Sequence, residues 1–215
     1  PKAHDAIVAA IEQVTAHGIE CLALHEGYLD GLRHRLAELE RLRQGGVAHD
    51  LKVNIHWLES EDLESGRAPK ALRGMDGILI PGGFGHRGIE GKVRAAAFAR
   101  ERKVPFFGIC LGMQCAVIEF GRNVAGLKGA HSTEFDPETP HKVFFLWREL
   151  KRDHELGGTM RLGQYACALE KSTLAHKAYR SVSVCERHRH RYEFNPAYEA
   201  RLALAGMVFS GRNLE

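Results

Sequence analysis

Apolar positions along the chain follow two patterns, helical spacing and short continuous runs. Ile7, Val8, Ile11 and Val14 recur at helical spacing and stop at Gly18, a glycine suited to a C-terminal cap. Residues 19–24 read as a short strand. Leu29, Leu32, Leu36, Leu39 and Leu42 form a stripe among arginines and glutamates, which predicts a second helix ending at Gly45-Gly46. Leu51, Val53, Ile55 and Trp57 then alternate with polar residues, as a half-buried strand does.

Two continuous apolar runs follow. Gly77-Ile78-Leu79-Ile80 ends at Pro81-Gly82-Gly83, and Val104-Pro105-Phe106-Phe107-Gly108-Ile109 leads into a second glycine-flanked turn. A helical stretch over residues 92–102 separates them. Strands buried on both faces and alternating with helices predict an α/β fold, an open and mostly parallel sheet flanked by helices. Beyond about residue 140 the pattern predicts short strands near residues 143–147, 163–169 and 182–187, and a last helix over 196–205. Without a repeat or a low-complexity linker, the chain reads as one domain over residues 1–215.

A length of 215 residues suits one sizeable core, and 44% hydrophobic with 27% charged residues is ordinary for a soluble protein. No apolar run approaches the roughly 20 residues that span a bilayer, so no membrane partner is expected. The opening residues Pro1-Lys2-Ala3-His4-Asp5 lead into a charged amphipathic stretch and not a signal-peptide core. A formal charge of +3 is too small to imply a nucleic-acid partner. The five cysteines (Cys21, Cys110, Cys115, Cys167 and Cys185) are odd in number and lack a CxxC pair. That argues against a disulfide framework and a zinc knuckle, so no metal is expected and a reducing cytoplasm is the natural compartment.

The strongest chemical signal is Gly108-Ile109-Cys110-Leu111-Gly112, where a buried strand meets a helix continuing through Gln114, Val117 and Ile118. A nucleophile on so sharp a turn is lifted into the crevice at the strand's C-terminal end, and small residues two positions away keep the turn from clashing. The helix start beneath the sulfur supplies unpaired N–H groups and positive potential, which favours thiolate. It also places the Leu111 N–H where an oxyanion would develop. The competing reading, a buried core thiol, is the usual fate of a free cysteine and fits Cys115; the paired glycines favour the nucleophile at Cys110. The turn Pro81-Gly82-Gly83-Phe84-Gly85 follows a strand directly and lets backbone N–H groups approach a ligand. It matches neither phosphate-binding glycine pattern, and an oxyanion donor at Gly83 suits it better.

These segments resemble the class I glutamine amidotransferase domain of CTP synthases. The oxyanion turn and the cysteine elbow are shared across class I amidotransferases. Arg87-Gly88-Ile89-Glu90-Gly91, Ser132-Thr133-Glu134-Phe135-Asp136-Pro137, Gly157-Gly158-Thr159-Met160-Arg161-Leu162-Gly163 and Glu186-Arg187-His188-Arg189-His190-Arg191-Tyr192-Glu193 single out the CTP synthases. The resemblance implies the flavodoxin-like three-layer version of the α/β fold. It further implies that Cys110 attacks the carboxamide of L-glutamine to form a glutamyl thioester, while Gly83 and Leu111 N–H groups hold the oxyanion. Gln114, Glu134 and Arg189 would contact the substrate amino acid. Free glutamine is a zwitterion, so an acid for its ammonium and a guanidinium for its carboxylate form a suitable pair. In the Arg187–Arg191 run, strand alternation would set the arginines on one face and the histidines on the other. The domain itself would need no cofactor. Its ammonia would pass to a synthetase domain of the same polypeptide that uses ATP and Mg²⁺, with GTP as an allosteric activator and a homo-oligomer as the full-length form.

The family completes its triad with a His-Pro-Glu segment, and none occurs before the last residue given, Glu215. His131, His141, His154, His188 and His190 do not match that pattern, so none is assigned the base role. The expectation is either a truncated sequence or an impaired catalyst. Residues 19–45 read as an insertion, and the family's first strand is expected to be missing. Two other classes remain open: a non-catalytic amidotransferase-like module that binds or regulates a partner, and a cysteine hydrolase built on the same elbow.

Overall fold

Strands β1 (Ile19–His25), β2 (Val53–Glu59), β3 (Gly77–Ile80) and β4 (Phe106–Gly108) form one parallel sheet in the order β2-β1-β3-β4. The computed structural model describes residues 19–25, 40, 42–65, 68–83, 86–146 and 160–213. The expected helix ending at Gly18 lies outside these residues, as do most of the leucine stripe, Phe84, Gly85, Trp147 and His154. The described residues group into two compact units, within Pro1–Glu119 and Phe120–Glu215.

The sheet belongs to the first unit and explains its apolar runs. Leu79 packs with Leu42 and Val53, joined by Leu51, Ile55, Phe107 and Ile109. Ile78 and Ile80 pack with Leu63, Leu72, Ala95 and Ala99 in a separate cluster. Successive residues of β3 thus enter two cores, so the strand is apolar at every position instead of every other one. Each such side chain contributes roughly 1.5–3 kcal/mol of burial free energy.

The segment expected as an insertion, residues 19–45, opens with β1. β1 is an interior strand, paired with β2 from Ile19↔Val53 to His25↔Glu59 and with β3 from Cys21↔Gly77 to Ala23↔Leu79. A strand hydrogen-bonded on both sides is sheet framework. Apolar periodicity gave its strand character, but periodicity does not report which strands lie beside it.

The helix expected to stop at Gly45-Gly46 also runs on. Residues 42–48 are helical, and the chain turns at Asp50, whose φ is +56°. A Cβ on Gly46 would lie 2.6 Å from Val53 Cγ2 and 2.7 Å from the Leu51 carbonyl oxygen. Gly46 therefore serves a close approach to the following segment, and Asp50 makes the left-handed turn.

The helix Ile89–Arg102 begins three residues before the expected residue 92. Its early glycines do not break it, because they are needed for contact with the short helix Ser60–Glu64. A Cβ on Gly91 would sit 1.9 Å from the Ser60 carbonyl oxygen, and one on Gly88 would sit 1.8 Å from Ser60 Oγ. Arg94 then donates to the carbonyls of Leu63 and Glu64 at 3.0 and 2.7 Å, satisfying the last turn of that short helix. Lys92 is 2% exposed, and its ammonium donates to the Arg87 carbonyl at 3.0 Å.

The second unit contains two three-stranded sheets. β5 (Ala130–Ser132), β6 (His141–Leu146) and β9 (Tyr192–Phe194) run in the order β5-β6-β9. β7 (Arg161–Leu169), β8 (Ser183–His190) and β10 (Gly211–Asn213) run in the order β10-β7-β8. These match the strands expected after residue 140 to within a few residues. The expected last helix is split: Asn195 caps a 3-10 turn Pro196–Tyr198 through Ala197 N–H, and the α-helix Glu199–Leu204 follows.

Candidate active site

β4 ends at Gly108, and the helix Leu111–Asn123 begins three residues later. Cys110 sits at the corner between them with φ at +51°, in the left-handed region that a non-glycine residue rarely adopts. Such a conformation persists only when the surroundings impose it. Here they do. Ile109 N–H donates to the Ile80 carbonyl at 2.9 Å, Gly112 N–H to Ile109 at 2.9 Å and Gln114 N–H to the Cys110 carbonyl at 3.0 Å. A Cβ on Gly108 would lie 2.4 Å from the Gly112 carbonyl carbon, and one on Gly112 would lie 2.2 Å from the Ile80 carbonyl oxygen. The two flanking glycines are thus required by backbone against backbone.

The glycine turn after β3 meets this corner. A Cβ on Gly82 would stand 3.5 Å from Cys110 Cβ and 3.8 Å from the Ile109 carbonyl oxygen. Gly82 and Gly83 are both half-buried, as is Cys110, so the thiol is neither packed away nor freely exposed. Cys115, on the same helix, is fully buried and belongs to the core, as expected. Leu111 is 1% exposed, and its N–H is among the four that a helix start leaves without intrahelical partners. The first turn carries no acidic side chain to offset the positive end of the helix dipole beside the sulfur.

Gln114 lies on that first turn, 5% exposed. Its amide oxygen is buried with no hydrogen-bond partner among the described residues. An unmet buried acceptor costs about 1–3 kcal/mol, and a ligand donor arriving there would remove that cost. Cys110, the Gly82-Gly83 turn, Leu111 and Gln114 are therefore brought together within the first unit.

Glu134 and Arg189 belong to the second unit and to different sheets. Glu134 is half-buried in the turn after β5, where its N–H donates to Ser132 Oγ at 3.3 Å. Arg189 is exposed on β8, opposite Leu162 of β7. The expected alternation holds: Arg187, Arg189 and Arg191 are exposed, and His188 and His190 are half-buried. Among the other histidines considered, His131 Nδ1 accepts from Ser132 N–H at 3.0 Å, and His141 Nδ1 lies 3.5 Å from the Tyr198 hydroxyl.

The histidine face of the Arg187–Arg191 run, to which the sequence alone assigns no role, holds a continuous polar row. Glu193 of β9 accepts from His190 Nε2 at 2.7 Å and from Arg161 Nη1 at 3.1 Å. Arg161 also lies over the Tyr165 ring at 4.2 Å, the Tyr165 and His188 rings meet edge-on at 5.4 Å, and His188 is 5.1 Å from His190. The His190/Glu193 spacing was visible inside the ERHRHRYE segment, but only strand register shows that Arg161 joins them.

Burial, followed by the charges of His190 and Arg161, pushes His188 below the ordinary histidine value. For Glu193 burial pulls upward, but the bonds and charges of His190 and Arg161 outweigh it and hold the carboxyl below its usual range. Both shifts have the same sign for stability. The fold prefers neutral His188 and ionised Glu193, so each contribution is complete above the ordinary value and lost as pH falls through the folded one. The urea midpoint should therefore drop as pH is lowered from about 6.5, where unperturbed histidine titrates. His188→Gln should flatten the upper part of that slope and keep the part in the carboxylate range.

The geometry agrees with comparison to known proteins. A family model described as Glutamine amidotransferase class-I matches residues 37–215. The CTP synthase of Caldanaerobacter subterraneus subsp. tengcongensis is 52% identical over 200 residues, covering 93% of this chain and 37% of that protein. That of Thermus thermophilus is 56% identical over 175 residues, covering 81% and 32%. A solved structure, the glutaminase domain of Trypanosoma brucei CTPS with bound acivicin, superposes with a TM-score of 0.82 at 39% identity, covering 90% of this chain and 74% of that one. The chain spans about a third of the length of these curated relatives. By family match, sequence identity and shared fold, the chain belongs to the class-I glutamine amidotransferases, among the glutaminase domains of CTP synthases.

Proposed function

We propose that this chain releases ammonia from L-glutamine through a thioester on Cys110. The observation that carries the reading is the left-handed Cys110 corner, held by Gly108 and Gly112 and abutted by the Gly82-Gly83 turn. The thiolate sulfur attacks the side-chain amide carbon, and the carbonyl becomes an oxyanion received by the N–H groups of Gly83 and Leu111. Collapse breaks the carbon–nitrogen bond; the nitrogen leaves as ammonia after gaining a proton. Water then adds to the thioester, giving glutamate and restoring the thiol. Gln114 and Glu134 accept from the α-ammonium end, and Arg189 donates to the α-carboxylate. No residue of this chain is assigned the proton transfers.

In the same reading the ammonia serves amination of UTP to CTP by a synthetase domain of the parent polypeptide. UTP, ATP and Mg²⁺ are handled by that domain, and GTP acts as an activator of the whole enzyme, with no residue of this chain assigned to any of them. The parent enzyme is a cytoplasmic homo-oligomer in this view. Among the described residues no helix is long and apolar enough to cross a membrane.

An α-amino-acid chloroketone shaped like glutamine tests the reading. Peptide mapping should find one adduct, on Cys110, and L-glutamine should protect against it saturably where L-asparagine does not. An adduct on another cysteine, or labelling indifferent to glutamine, would overturn the proposal.

A further inference from the structure

Glu134 and Arg189 sit on two different sheets, so something must set the spacing between them. The hydrogen bonds of the second unit trace one route. Thr133, next to Glu134, donates its N–H to the Phe144 carbonyl of β6 at 3.0 Å. β6 pairs with β9, with Phe145 opposite Glu193. Glu193 then reaches out of its own sheet to His190 on β8 and Arg161 on β7, which are themselves a cross-strand pair. Arg189 is the neighbour of His190. It points away from the polar row, on the exposed face, and its position depends on the backbone that His190 anchors.

We propose that Glu193 is a positioning residue for the amino-acid end of the substrate: by clamping His190 and Arg161 together it fixes the strand bearing Arg189 against the sheet bearing Glu134. The inference rests on the preceding reading that Glu134 and Arg189 take the ammonium and the carboxylate. Those two groups hang from one carbon, so their partners must be held at a fixed separation, within about half an ångström for a well-ordered site. A single carboxylate shared by a guanidinium and an imidazole suits that task, because hydrogen bonds to an ionised acceptor are short and directional. The side chains of Arg161, His190 and Glu193 are 12%, 19% and 19% exposed, which keeps water from competing for the bonds. The other charged or titratable groups along this face, His188, Tyr165 and Glu186, extend the row away from Glu193 and do not replace its link to β9.

The test follows alkylation of Cys110 in this chain, site by site through peptide mapping, with two reagents. One is the glutamine-like α-amino-acid chloroketone, which carries both charged groups; the other is iodoacetamide, which carries neither. Glu193→Gln should raise the half-saturating chloroketone concentration about tenfold, since a small misplacement of a binding group has effects of that order or larger. The maximal labelling rate and the iodoacetamide rate should stay within about twofold of wild type, a split that general loss of folding does not produce. Glu193→Asp should recover part of the loss. Equal slowing with both reagents, or no change with either, would overturn the proposal. Arg189→Ala distinguishes a failed substrate contact at Arg189 from a failed positioning role at Glu193. If it leaves chloroketone saturation unchanged, the reading of Arg189 falls and the role of Glu193 with it. If it weakens saturation while Glu193→Gln does not, the positioning role alone is wrong.

Discussion

Gly112→Ala should lower Cys110 labelling by about a hundredfold and destabilise the first unit on the order of 3 kcal/mol. The new methyl would stand 2.2 Å from the Ile80 carbonyl oxygen and 2.8 Å from Ile80 Cβ. Neither neighbour is the free end of a flexible side chain. Ile80 is fully buried in β3, and its carbonyl already accepts from Ile109 N–H. Relief must come from moving the helix start away from the strand, which displaces Cys110 from the Gly82-Gly83 turn. Gly77→Ala is the matched control. Its methyl would meet only the Pro105 carbonyl oxygen, at 3.9 Å, so it should be neutral or stabilising by up to about 1 kcal/mol. Urea unfolding with labelling kinetics checks both; normal labelling in Gly112→Ala would refute the account of the corner.

The second large effect is expected at Glu119. This residue is 2% exposed near the end of the helix Leu111–Asn123, and its carboxylate receives Arg100 Nε at 3.0 and 3.1 Å and Nη2 at 2.8 Å. The same contact raises the Arg100 guanidinium above its ordinary value, chiefly by hydrogen bonding. Breaking a wholly buried pair by removing one partner costs about 3–5 kcal/mol. Arg100 keeps 35% of its side chain exposed and can turn toward water, so Glu119→Ala should cost nearer 2–3 kcal/mol on that scale. Replacing both residues with leucine should recover most of the loss, because the unpaired group goes as well. Cys110 labelling under folding conditions should be unaffected throughout. A denaturation midpoint unmoved by Glu119→Ala would show that the pair adds nothing.

The parts legible in sequence share a physical origin. Apolar runs of β3 and β4 announced strands covered on both faces, because no periodicity survives when both sides are buried. The Cys110 corner was legible because its sterics demand glycine at two fixed positions. What escaped depends on partners remote in the chain. Gly46 reads as a helix stop and Gly88 and Gly91 as parts of a family signature, whereas each accommodates a backbone or side chain from another segment. β1 was recognised as a strand but not as the one between β2 and β3, since a strand's sequence does not name its neighbours. Glu193, His190 and Arg161 were all inside quoted motifs, yet only the β7–β8 register and the β6–β9 pairing bring them to one point.

The left-handed backbone at position 110 also limits which nucleophiles this scaffold accepts. A second heavy atom on Cβ crowds the carbonyl when φ is positive, so threonine and other branched side chains are sterically unwelcome there. Serine alone among the aliphatic hydroxyl residues has the right shape. A redesign of this elbow for oxygen-based chemistry would have a single natural substitution available, and any selection for threonine would first have to unwind the turn.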